Sequence, residues 1–305
     1  MRDAFSDALV ALAAADPKVL LLTGDHGYAL FDSFRKHFPD QYINAGIAEQ
    51  NMVGMAAGLA RIGFRPFVYG LSAFVPVRVL EQIKLDVAHD DLPVVLLGDG
   101  AGFVYSHLGT SHQSTEDIAC ARAIPGLAVL SPSDRHEMKA CMEHAYARRG
   151  PVYLRMGKSD RGDVHSGALP TLLPGQLMQL RDGRADLPAL VATGSMVRTA
   201  MDIAERHMDF AVWSVPSIKP LDAQSLQSIA VRHRGLVVME EHSIHGGMGS
   251  AVAEILSEVA PTRVLRIGVA DRFSQHCGTY AYLLREHGLD ADSVLARIND
   301  FIGHQ

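Results

Sequence analysis

Short apolar runs alternate with helix-period segments along the whole of this 305-residue chain. VLLLTGD (19–25), RPFVYG (65–70), LPVVLLGDG (92–100), LAVLSPSD (127–134) and PVYLRMG (151–157) read as buried strands. Helical patterns fall between them at 2–15, 47–62, 77–90 and 134–149. The first carries Phe5, Leu9, Leu12 and Ala13 at helical spacing and ends before Pro17; Ser133 or Asp134 caps the last. Strands that alternate with helices build a parallel, doubly wound sheet. Residues 157–175 show neither period and are rich in Gly, Pro, Ser and Asp, which marks a connection. A second α/β pattern follows: strands in 189–195, 209–221, 235–242 and 262–269, with helices after the first and third and over 279–302. The expected fold class is α/β, with two doubly wound, mostly parallel-sheet domains. The boundaries are expected at 1–160 and 176–305, with 161–175 as linker.

Composition narrows the partners. A net charge of −6 with no basic run argues against nucleic acid and anionic membranes. No stretch approaches the ~18 consecutive apolar residues of a membrane span. The acidic first turns do not read as a signal peptide. Cys120, Cys141 and Cys277 are too sparse and far apart for a disulfide framework or a CxxC site. The chain reads as a cytoplasmic protein.

The most informative run is INAGIAEQNMVGMAAGLARIGFRPFVYGLSAF (43–74). Glu49 opens a helix of small and apolar residues. Desolvation there favours a protonated carboxyl able to donate a hydrogen bond. From spacing alone, a first-turn acid interacting with the helix dipole is the favoured reading. The helix itself, rich in small residues, is expected to be buried against another backbone and would suit a subunit interface.

GIAEQNMVGMAAGLA resembles the pyrimidine-binding domain of the transketolase family. The resemblance extends over essentially the whole chain, EEHSIHGGMGSAVAE (240–254) and VADRFSQHCG (269–278) resembling the family's C-terminal domain. It implies thiamine diphosphate as cofactor, with Glu49 contacting N1′ of its aminopyrimidine and promoting deprotonation of the thiazolium C2. TGDHG (23–27) resembles the strand end beside the cofactor, which makes Asp25 a cofactor candidate and His26 a substrate candidate. Phe74 matches an aromatic that stacks on the pyrimidine; Ile47 and Leu71 fall at neighbouring cofactor positions. GTSHQ (109–113) resembles the segment whose His faces substrate, here His112, a candidate for proton transfer. YLRMGK (153–158) matches a strand with a substrate-binding Arg, here Arg155. Arg2 falls where a phosphate-binding Arg sits, or is simply a terminal arginine. His107 is a further polar candidate in the same loop as His112.

Departures from the pattern bear on substrate. Sugar-phosphate transketolases carry an acid where this chain has Leu108, a His where it has Gly100, and a Ser where it has Ala29. Leu71 and Val77 replace flanking aromatics. The donor implied is a ketose-like compound other than the standard sugar phosphates. Mg²⁺ and the diphosphate are bound in this family through a G-D-G followed by Asn ~25–30 residues on, with oxygen ligands on the ion. Gly98-Asp99-Gly100 is not followed by such an Asn and reads as a strand-ending turn. The resemblance therefore implies a partner: an N-terminal transketolase-like subunit that supplies the Mg²⁺ and diphosphate site, in a dimer of heterodimers, active only together. His242-x-x-His245 beside Glu240 and Glu241 lacks a closed ligand set, and Gly246-Gly247-Met248-Gly249 reads as a tight turn. Two other readings stay open: the β subunit of a 2-oxo-acid dehydrogenase or decarboxylase, and a non-catalytic homologue.

Overall fold

The computed structural model describes residues 1–158, 160–207 and 209–303. Twelve strands are formed among them: β1 (Val19–Thr23), β2 (Tyr42–Asn44), β3 (Arg65–Leu71), β4 (Val95–Asp99), β5 (Ala128–Leu130), β6 (Val152–Met156), β7 (Met178–Arg181), β8 (Ala189–Ala192), β9 (Val212–Ser214), β10 (Ser217–Lys219), β11 (Leu236–Ser243) and β12 (Val264–Val269). They build a seven-stranded sheet in the order β10-β5-β6-β4-β3-β1-β2 and a five-stranded sheet in the order β12-β11-β8-β9-β7. All pairings are parallel except β10 with β5 and β7 with β9. Every residue of β1, β4, β6 and β8 is buried, which is why these strands are continuous apolar runs rather than alternating ones.

The helix Arg2–Ala15 buries Phe5, Leu9 and Ala13, one stripe at spacing four. Asp134, rather than Ser133, caps Arg135–Ala147, accepting from the backbone N–H groups of His136 and Glu137. The expected helix at 77–90 is irregular: a 3₁₀ turn Val77–Val79, a short α segment Leu80–Gln82 and a π turn Ile83–Ala88. The expected helical stretch 279–302 is two helices, Tyr280–Glu286 and Ala291–Gly303, broken where Gly288 takes a left-handed φ of 65°. The helix Glu49–Arg61 corrects another expectation. It buries Met52, Val53, Ala56, Ala57 and Ala60, but a Cβ added at Gly54 or Gly58 would meet nothing within 4 Å. Its glycine face therefore packs on nothing among the described residues.

One strand crosses between the halves. The stretch 209–221 divides into β9, in the second sheet, and β10, which pairs antiparallel with β5 at the edge of the first. Pro216 between them still accepts from Ser131 N–H at 2.8 Å, so the proline costs the edge no donor it needs. The region 161–175 carries no helix or strand, yet Leu172 is buried against the first sheet's core. Apolar side chains of both halves, such as Ile118, Leu127, Val215, Ile218 and Val252, share one core cluster.

Candidate active site

Parallel strands deliver the residues that follow them to one edge of the sheet, the usual place for a ligand crevice. Gly24–His26 follows β1, Ser72–Phe74 follows β3 and Gly100–Phe103 follows β4. Glu49 opens its helix after β2 and is 5% exposed. It is not a lone buried acid: Arg78 Nη1 donates to its Oε2 at 3.1 Å. The Arg78 guanidinium also lies 3.9 Å from the Phe74 ring centroid, a cation–π distance. The Phe74 and His112 rings meet in an edge arrangement, with centroids 5.5 Å apart. Glu49, Arg78, Phe74 and His112 thus form one contiguous cluster. His112 Nδ1 lies 3.0 Å from Ser111 Oγ.

Asp25 and His26 lie on the turn that follows β1. Asp25 adopts φ 59°, a left-handed conformation tolerated by short polar side chains. Its carboxylate accepts from Tyr28 at 2.7 Å and from Asn44 at 3.3 Å, and these bonds hold it below the usual carboxylate range. His26 Nδ1 lies 2.6 Å from the Gly24 carbonyl, which can only accept, so Nδ1 carries the proton. Its Nε2 is buried with no partner, and Ser72 Oγ likewise. Ile47 is 81% exposed, Leu71 is half-buried, and His107 and Leu108 are exposed on the 3₁₀ turn Ser106–Leu108.

Arg155 is engaged within the chain. It is 2% exposed; its Nε donates to Asp117 Oδ2 and its Nη2 to the Glu241 carbonyl, both at 2.7 Å. The guanidinium thus ties Asp117 in the first half to the Glu241 backbone in the second. Arg2 sits at 3.7 Å from Asp99, which also accepts from Tyr69 at 2.6 Å and Tyr105 at 3.0 Å. Asp99 is 3% exposed, so G-D-G at 98–100 ends a strand and closes on its own phenols. Burial and then Asp99 push both phenols above the ordinary tyrosine range.

The polar side chains Glu240 and His242 are likewise satisfied within the chain. Glu240 accepts from Met248 N at 2.6 Å and Gly249 N at 2.8 Å, so the chain's own carboxylate fills the N-terminus of helix Met248–Val259. His242 lies 3.2 Å from Ala119 N and 2.7 Å from Ser243 O, which uses both ring nitrogens. Sequence reasoning missed Arg78 and the acceptors Asp117 and Glu241. The only signal for Arg78 was its place four residues after Phe74; nothing local marked the others.

Residues 1–162 match the family model of the transketolase pyrimidine binding domain, and residues 176–294 that of the transketolase C-terminal domain. The chain belongs to the transketolase family. One of the subunits of an apulose-4-phosphate transketolase from Actinobacillus succinogenes is 36% identical over 267 residues, covering 86% of this chain and 85% of that one. A 6-deoxy-6-sulfo-D-fructose transketolase subunit from a Clostridium species is 33% identical over 300 residues, covering 97% and 92%. Among solved structures, a split-gene transketolase described as an inactive beta4 tetramer superposes with a TM-score of 0.90 at 34% identity, covering 99% and 98%. Within this transketolase fold, the cluster around Glu49 lies in the pyrimidine-binding half. No helix among the described residues is long and apolar enough to cross a membrane.

Proposed function

We propose that this chain is the pyrimidine-binding and C-terminal subunit of a two-chain, thiamine-diphosphate-dependent enzyme that transfers a two-carbon ketol unit to an aldehyde. The observation that carries the reading is the convergence of Glu49, Arg78, Phe74 and His112 at the strand ends. These residues fit the aminopyrimidine end of the cofactor: an acid to bond a ring nitrogen, an aromatic to stack, and unpartnered His26 Nε2 and Ser72 Oγ nearby. When bound, thiamine diphosphate supplies the electron sink for cleaving a bond beside a carbonyl carbon. Glu49 would hold the pyrimidine, Arg78 would hold Glu49, and Phe74 would fix the ring plane. His112 would hold and move a proton on a substrate oxygen.

Asp99 is closed by two phenols and Arg2. The Mg²⁺ ligands and diphosphate contacts therefore fall to an N-terminal transketolase-like partner subunit, in a cytoplasmic dimer of heterodimers. Exposed Leu108, where sugar-phosphate enzymes carry an acid, favours a ketose-like donor outside the standard sugar phosphates, in keeping with the substrates in the relatives' names. Domain limits of 1–160 and 176–305 agree with this division of labour.

The test is co-purification from the native host, titration of Mg-thiamine diphosphate into the complex, and assays with ketose and 2-oxo-acid donors. Ketose turnover that vanishes in Glu49→Gln, with an unchanged circular dichroism spectrum, supports the reading. Full turnover in Glu49→Gln sinks it.

A further inference from the structure

His112 rides on a loop without regular structure, so its position depends on what grips that loop. Residues 109–113 form one tight turn: His112 N and Gln113 N both donate to the Gly109 carbonyl, at 3.0 and 3.3 Å, with Gly109 at φ 79°. The turn therefore moves as a unit, and a hold on Gln113 is a hold on His112. The loop's ends are fastened to the C-terminal half. Phe103 N donates to Glu241 at 2.6 Å, Ser243 N to the Thr115 carbonyl at 2.7 Å, and Ala119 N lies 3.2 Å from His242 Nε2.

The turn itself is tethered to that half by a side chain. Gln113 is 6% exposed, and its Oε1 accepts from Ser274 Oγ at 2.8 Å. Ser274 Oγ lies 2.9 Å from His287 Nε2. A hydroxyl has a single proton; with Ser274 giving it to Gln113, the Ser274 oxygen is left to accept from His287 Nε2. The base of this relay is rigid. His287 is 8% exposed and stacks on Phe103 at 4.7 Å and 20°. Gln275 N and Arg272 both bond Glu286 Oε1, which locks the segment holding Ser274 onto the helix before His287. Burial, and then Arg272, hold His287 below the usual imidazole range, which favours the neutral ring.

We propose that Ser274 and His287 are positioning residues for His112: a hydrogen-bonded relay from the C-terminal half sets the catalytic turn through Gln113. This rests on the ketol-transfer reading for its chemical consequence, but not for its physical one.

Two readouts keep the claims apart. Amide hydrogen exchange on the full chain is measured for peptides covering 105–117 and 49–61. Ser274→Ala should speed exchange at 109–115 by about tenfold or more, with 49–61 unchanged. Ser274→Thr, which keeps the hydroxyl, should restore slow exchange. His287→Leu should mimic Ser274→Ala, while His287→Gln, which keeps a donor near the Nε2 position, should not; these serve also if Ser274→Ala fails to fold. In the reconstituted two-chain enzyme, Ser274→Ala should lower kcat on the order of 10- to 100-fold with unchanged affinity for Mg-thiamine diphosphate. Unchanged exchange at 109–115, or an equal rise at 49–61, overturns the relay. A wild-type complex with no ketol transfer overturns the enzymatic reading and leaves the exchange result to decide the relay.

Discussion

Replacing Arg155 by Ala decides whether that residue serves substrate or structure. Its ion pair with Asp117 spans 2.7 Å, with side chains 3% and 0% exposed. Asp117 Oδ2 also accepts from Tyr153 at 2.6 Å, while its Oδ1 has no partner. Deleting the guanidinium strands a carboxylate in the interior and frees the Glu241 carbonyl. Breaking a buried pair from one side costs about 3–5 kcal/mol. Unfolding entropy of about 2.1 cal/mol/K per residue over 305 residues gives roughly 0.6 kcal/mol/K. The Tm should therefore fall by about 5–8 °C, read by differential scanning calorimetry. Arg155→Met with Asp117→Leu should recover part of that loss: no charge is then orphaned, although the Tyr153 phenol loses its acceptor. A Tm within about 1 °C of wild type, coupled to a raised KM for an anionic substrate, would refute the argument and return Arg155 to the substrate site.

Arg78 presents the opposite case: its side chain is 44% exposed and its pair with Glu49 is screened, so Arg78→Ala should change stability by less than about 1 kcal/mol. It should nonetheless cut turnover of the two-chain enzyme, because Glu49 loses its hold; equal turnover would remove Arg78 from the site. Glu240→Ala should destabilise the chain by about 1–3 kcal/mol in urea titration, since Met248 N and Gly249 N lose their acceptor. Glu240→Gln, which keeps one acceptor oxygen, should cost less. A pH effect is expected at His165, whose ring lies 3.0 Å from Asp134 and 3.7 Å from Glu137. Burial opposes its charge, but Asp134 and Glu137 outweigh it and raise its affinity for the proton. Its stabilisation is therefore complete below about pH 6.5 and is lost as pH rises through the raised folded value. Burial likewise opposes the Asp134 carboxylate, yet His165 and backbone N–H groups hold it well below the usual range, so its contribution is lost only on acidification. His165→Gln should flatten the fall of Tm between pH 6 and pH 9; parallel Tm–pH curves for the two proteins would exclude this latch.

The sequence by itself determined the fold class and singled out the candidate site segments. Strands buried on both faces are written as unbroken apolar runs, so β1, β3, β4 and β6 are visible locally. Glu49, Phe74 and His112 sit in segments whose residue order carries the family resemblance, and the structure brings these three together. What escaped was non-local. β2 and β7 are short edge strands that bury too little for a pattern to show. β10 belongs to the first sheet only because β5 offers it an open edge, a fact written some ninety residues away. Arg155 and an arginine that binds substrate look the same in sequence; only the placement of Asp117 and the Glu241 carbonyl turned it into a tie between halves. Arg78, Ser274 and His287 acquire their relations to Glu49 and Gln113 through packing, because a hydrogen bond across 161 residues of chain leaves no local trace at either end.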